Sequence, residues 1–286
     1  MSTTRVCRRA LLACVALTAA GAAGAAGQAE RGPDTVVVQS GTLRLRGLLW
    51  RPNGPGPFPA VLFNHGSGLT TEELTMGKGP ESIGPLFPRH GYVLLFLFRR
   101  GSGLSQNQGS RPGNALDSAL AGGGPTARNR LQLAMLESEQ VPDALAGLAY
   151  LRSRPDVDAR RLAVVGHSFG GSVTLLVAER DSTLRAVVDF SGAALSWGLS
   201  AELRARLLAA VRATTAPVLF IHPANDYGVE SGPALSAEMT RLGKTALLKI
   251  YAAYGSSARE GHNFLFLDPS IWEQDVFAFL DRYLRH

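Results

Sequence analysis

The chain has 286 residues, 45% of them hydrophobic and 18% charged, which is enough for one large domain with a well-buried core and argues against a disordered protein. The net charge of +6 falls to +3 if Arg5, Arg8 and Arg9 leave with an N-terminal leader, because 26 basic then face 23 acidic residues; so small and scattered a surplus argues against a nucleic-acid partner. The two cysteines, Cys7 and Cys14, both lie in that leader, so a mature chain has no thiol for disulfides, nucleophilic attack or metal binding.

The three arginines precede an apolar run at 10–20, and small residues follow in "AAGAAGQAE". The pattern predicts a secretory signal peptide over residues 1–27, cut near Ala26 or Gly27, and hence a secreted or periplasmic protein. The run is shorter than the roughly 20 residues that span a bilayer, so no transmembrane anchor is expected. "LLAC" ending at Cys14 resembles a lipoprotein signal, but too little apolar sequence precedes it.

Residues 28–286 read as one catalytic domain without internal repeats. "TVVV" and "TLRLRGLLW" predict a β-hairpin, and the Pro/Gly loop "RPNGPGPFP" leads into the strand "AVLFN". A short helical piece near 83–89 precedes the strand "YVLLFLF" at 92–98. Residues 99–126, rich in Gly, Ser, Asn and Pro, predict a long excursion, with 101–126 a mobile flap insertion carrying Leu104, Leu116, Arg111 and, just beyond it, Arg128. Helical spacing of Leu131, Met135, Val141, Leu145, Leu148 and Leu151 predicts a helix over 127–154, kinked or split at Pro142. Strands "LAVV", "RAVVDF", "PVLFIH" and "ALLKIY" then alternate with helices, the last over 271–283. Such alternation predicts an α/β fold: a mostly parallel central sheet with helices on both faces and an antiparallel hairpin at one edge.

One serine stands between glycines where the strand "LAVV" passes into a helix, in "LAVVGHSFGGSV". Gly166 and Gly170 lack a Cβ, which permits a strained turn that lifts the Ser168 hydroxyl off the strand end. Read alone, the stretch is either a nucleophile elbow or a tight turn, and the decision rests on partners. A serine hydroxyl attacks at neutral pH only when a base takes its proton and an acid orients that base. Of six histidines, His262 in "REGHNFLF" fits best, on a loop between the last strand and the last helix. His167 adjoins Ser168, with its side chain expected to point away, and His222 sits at a strand end. Asp226, in the polar loop "PANDYGV", is the preferred acid; Asp189, at the end of "RAVVDF", is its rival. In "NHGSG", after the strand "AVLFN", the Ser67 amide is expected to form an oxyanion hole with the amide of Phe169. Leu69, Leu104, Trp197 and Tyr227, with Phe87 and Phe264, are candidates for an apolar substrate pocket or for ordinary core. No pair of histidines has metal-ligand spacing, and acyl transfer of this kind requires neither metal nor cofactor.

Together "NHGSG", "GHSFGG", "PANDYG" and "GHNF" resemble the α/β-hydrolase superfamily from about residue 35 onward. "RRGSGLS" and "VPDALAGLAYLRSRPDVDARRLAVVGHSFGG" are most similar to its dienelactone hydrolase-like branch and to prolyl oligopeptidase-type catalytic domains. The resemblance implies Ser168 as nucleophile, Asp226 as acid, His262 as base, and Ser67 and Phe169 as oxyanion donors. It departs at Ser168, where dienelactone hydrolase carries cysteine, and in lacking the propeller of the oligopeptidases. The expectation is a serine hydrolase of small-molecule carboxylic esters; a peptidase or acyltransferase with the same triad, or a silent ligand-binding fold, are the alternatives.

Overall fold

A computed structural model describes residues 1–2, 32–68 and 79–285. The leader expected at 1–27, beyond its first two residues, lies outside them, as does Leu69. Among the described residues, β-branched and leucine-rich runs form β1 (Asp34–Ser40), β2 (Leu43–Trp50), β3 (Phe58–Asn64), β4 (Val93–Leu97), β5 (Val157–His167), β6 (Ala186–Phe190), β7 (Val218–Pro223) and β8 (Ala246–Tyr251). They make one sheet in the order β1-β2-β4-β3-β5-β6-β7-β8. β2 runs antiparallel to β1 and to β4, and every later pairing is parallel, which is the α/β architecture expected.

Among the described residues the helices are α1 (Pro80–Ile83), α2 (Leu86–Arg89), α3 (Pro112–Met135), α4 (Val141–Arg152), α5 (Phe169–Arg180), α6 (Ala201–Ala213), α7 (Ser231–Arg241), α8 (Ala258–His262), α9 (Phe264–Leu267) and α10 (Glu273–Leu284). Strand side chains alternate between two cores because the pleat repeats every two residues. In β5, Leu162 and Val164 join one cluster with Leu148, Val173 and Leu207, while Ala163 and Val165 join another with Phe87, Phe264 and Leu280. Each fully buried Leu or Val contributes about 1.5–3 kcal/mol, so the central strands are held from both sides. No helix among the described residues is long and apolar enough to cross a membrane.

The Gly-rich segment departs from expectation. Residues 103–108 form a 3-10 turn, and α3 already begins at Pro112, with a kink at Gly124 (φ 69°) and Pro125 inside it. Proline at the first helical turn has its φ preset and loses no hydrogen bond there. Leu116 and Met135 anchor the two halves in the core, and the Gly113 N–H donates to the Ser67 carbonyl. Packing of these few apolar residues overrides the low helix propensity of the glycine run, so 112–126 is helical where composition suggested a loop. Arg111 bonds Asn114 and Arg128 bonds Gln132 on the helix itself. A π-helical turn at 136–140 joins α3 to α4, placing Pro142 in the first turn of α4.

Candidate active site

β3 has β4 on one side and β5 on the other, so the loops after β3 and β5 diverge at the switch point where open α/β sheets bind ligands. Ser168 sits between β5 and α5 with φ 58° and ψ −121°, a strained left-handed conformation for a residue with a side chain. Two glycines make the turn possible. A Cβ on Gly166 would lie 2.2 Å from the Gly170 carbonyl, and one on Gly170 would lie 2.0 Å from the Asn64 carbonyl. The chain therefore has to carry glycine there for α5 to close onto β3 and β5.

Three elements bring the partners to Ser168. The Ser168 hydroxyl donates to His262 Nε2 at 2.9 Å, and His262 Nδ1–H donates to Asp226 Oδ1 at 2.6 Å. His262 closes α8, whose N-cap Ser257 accepts from the Glu260 N–H; the residue expected on a loop thus ends a short helix. Asp226 follows β7, with its side chain wholly buried, and also accepts the Tyr227 N–H. Burial alone would raise its carboxyl, but hydrogen bonds from His222 and His262 outweigh that and hold it well below the usual range. Asp189 is not part of this chain. Its carboxyl packs against Gly171 and Gly192, and burial pushes it up to about 7.

The loop after β3 is clamped from behind. His65 is buried and kept neutral, because burial and then the adjacent Arg99 charge push its imidazole well below the ordinary value. Its Nδ1–H donates to the Gly66 carbonyl at 2.7 Å, and its Nε2 accepts the Arg99 N–H at 3.1 Å. A trans peptide directs N–H and C=O oppositely, so the Ser67 N–H points away from His65, and Ser67 lines the cavity. The buried Arg99 guanidinium donates to the His65 carbonyl at 2.5 Å and to Gln140 Oε1 at 2.9 Å. Burial lowers it to about 9 against the opposing pull of Asp143. On the other side, the Phe169 N–H opens α5, where the first amides of a helix have no intrahelical acceptor. His167 donates through Nε2 to the His262 carbonyl at 2.7 Å; burial and then His262 push it down to about 3.

Ser67, His167, Ser168 and His262 floor a cavity of about 590 Å³ whose walls include Leu195, Tyr227, Phe266 and Leu267, with Arg259 and Glu260 also lining it. Tyr227 is 45% exposed and its ring centre lies 4.9 Å from that of His262. Other pocket expectations need correction. Leu104 lines a separate depression beside Arg46, because the 3-10 turn carries it toward β2. Trp197 is 8% exposed and packed in the core, and Phe87 and Phe264 are buried on the opposite face of the sheet. Leu195, Phe266 and Leu267 are the apolar lining residues that sequence reasoning missed. Their signal was an apolar residue among the small ones after β6 and the run "FLFL" directly after His262.

An eight-stranded, mostly parallel sheet with a serine elbow at its switch point and His and Asp on later crossovers defines an α/β-hydrolase. The dienelactone hydrolase family model matches residues 112–266, more than half of the chain, and the chain belongs to that family. It is 30% identical over 138 residues to Esterase EstD of Thermotoga maritima, a match covering 48% of this chain and 27% of that protein; the chain thus spans about a quarter of that relative's length. Among solved structures it is similar to an esterase of Pyrococcus furiosus (15% identity, TM-score 0.63, 88% of this chain and 91% of that one). An acylaminoacyl peptidase of Pyrococcus horikoshii is similar over 88% of this chain and 41% of its own (20% identity, TM-score 0.60). At such identities these two show the shared fold.

Proposed function

We propose that the protein is a serine esterase that cleaves small-molecule carboxylic esters through an acyl-enzyme, and that residues 1–27 direct it out of the cytoplasm as a signal peptide. The observation that carries the first part is the unbroken hydrogen-bond chain from Asp226 through His262 to a Ser168 hydroxyl held at a strained elbow on a cavity floor. His262 takes the Ser168 proton as Oγ attacks the ester carbonyl. Asp226 fixes the His262 tautomer and stabilises the imidazolium that forms. The Phe169 and Ser67 amides face the developing oxyanion, a role in which one donor is worth roughly 10²–10³ in kcat. His262 then protonates the departing alcohol, activates water, and the acyl-enzyme is hydrolysed. The apolar walls formed by Leu195, Tyr227, Phe266 and Leu267 suit an aliphatic or aromatic acyl or alcohol group.

The purified protein is expected to hydrolyse p-nitrophenyl esters and to take up one fluorophosphonate covalently, while Ser168→Ala does neither. Equal labelling of both proteins would remove Ser168 from the reaction. A parallel assay with peptide amides separates an esterase from a peptidase on the same triad. Export is checked by expressing the full chain in a bacterium and sequencing the N-terminus of the periplasmic product, which should begin near residue 27 or 28.

A further inference from the structure

Asp226 holds a second histidine. His222, on β7, places Nδ1 at 3.0 Å from Asp226 Oδ2, and both side chains are fully buried. Its Nε2 lies 3.3 Å from Ser231 Oγ, at the start of α7, and that hydroxyl lies 2.6 Å from the Gly192 carbonyl oxygen. The protons in this chain can be counted. A carbonyl has none to give, so the short contact to Gly192 takes the single hydroxyl proton of Ser231. Only lone pairs of Ser231 Oγ then remain for His222 Nε2, so that contact is a hydrogen bond when Nε2 carries the proton. On the other side, Asp226 already accepts from His262 and from the Tyr227 N–H, the pattern of an ionised carboxylate, so Nδ1 must donate as well. Both ring nitrogens of a histidine donate only in the imidazolium.

We infer that His222 is a resident imidazolium that shares the Asp226 carboxylate with His262, a positioning residue whose fixed charge sets the basicity of the catalytic histidine. The charged and titratable groups around it are Asp226, His262 across that carboxylate, and Asp189 at the end of β6, which feels the His222 charge. From α7 its neighbour Gly232, and from β8 its register partner Ile250, are uncharged. A permanent cation on Oδ2 draws off part of the field with which Asp226 stabilises protonated His262. The base therefore gives up its proton at lower pH than it would beside an unshared carboxylate, and the acid limb of the activity profile extends downward.

The kinetic arm of the test rests on the serine-esterase reading, and the spectroscopic arm does not. In long-range ¹H–¹⁵N spectra of the protein labelled with ¹⁵N-histidine, with His222 assigned by its loss in His222→Asn, both His222 nitrogens are expected to carry a proton at about pH 7. An unprotonated Nε2 at about pH 7 would overturn the inference whatever the enzyme does. Asparagine keeps a neutral donor near the Nδ1 position, so folded His222→Asn should move the acid limb of kcat/KM to higher pH by about one unit. A limb that stays in place in a folded variant would reject the inference, because a purely structural role keeps that hydrogen bond and changes no charge. Loss of Ser168 labelling in the wild type would refute the esterase reading instead and leave the nitrogen spectra to decide this one.

Discussion

At the scale of single residues the two buried aspartates differ in what reaches them. Asp226 accepts from His222, from the Tyr227 N–H and from His262, whereas no side-chain hydrogen bond reaches Asp189 among the described residues. Asp226→Asn presents an amide to His262 Nδ1, favours the wrong tautomer, and should lower kcat by about 10⁴-fold. Asp189→Asn should change kcat by less than about tenfold. Steady-state kinetics of the two folded variants, compared directly, check this; the reverse order would make Asp189 the acid. Ser168 itself is legible in its immediate neighbours, since G-x-S-x-G between an apolar run and a helix has a mechanical reason for each glycine. The acid is less so: loop position favours Asp226, but nothing local excludes Asp189.

At the scale of elements, α3 is the segment that composition described least well. Its glycines and prolines suggested a mobile loop, yet Leu116 and Met135 are buried and its first turn bonds the Ser67 carbonyl. Propensity is a sum of small local terms that a few long-range apolar contacts outweigh. Gly122 tests the difference, because it is exposed, lies within the helix and has nothing within 4 Å of an added Cβ. In a helix, Gly122→Ala should stabilise the protein by about 0.5–1 kcal/mol, read as a higher urea midpoint with an unchanged m-value. An unchanged or lower midpoint would mean that this stretch is not helical in solution.

At the scale of the whole molecule, buried ionisable groups around the site couple stability to pH. His167, at about 3 in the fold against about 6.5 unfolded, leaves the unfolded chain with more bound protons between those values. Its contribution is present above about pH 6.5 and is lost as pH falls, by about 1.4 kcal/mol per pH unit, and His65 has the same sign. Asp189 acts oppositely. At about 7 in the fold and about 3.9 unfolded, it gives the folded state the extra proton, so its term favours folding as pH falls from about 7 to 4. Asp189→Asn removes only that term. Relative to wild type, the variant should gain stability steadily as pH is raised from about 4 to 7 and level off near pH 8. Urea unfolding of both proteins at a series of pH values reads the difference directly, and a flat difference would show that Asp189 is ionised in the fold throughout.

The sequence by itself determined the alternation of strands and helices, the elbow, and the order in which Ser168, Asp226 and His262 follow one another. Those features rest on local rules: a pleat of period two, and glycine wherever one backbone must pass within 2.0–2.2 Å of a would-be Cβ. Only the tertiary structure decided which aspartate meets His262, which side chains face the cavity, and that His222 shares the acid. His262 lies 94 residues from Ser168 and 36 from Asp226, so their contact depends on how β5, β7 and α8 are stacked rather than on any neighbouring residue. Leu195 and Trp197 stand two positions apart, yet one lines the cavity and the other joins the core. The turn after β6 sets that difference, and its direction follows from the packing of the chain around it.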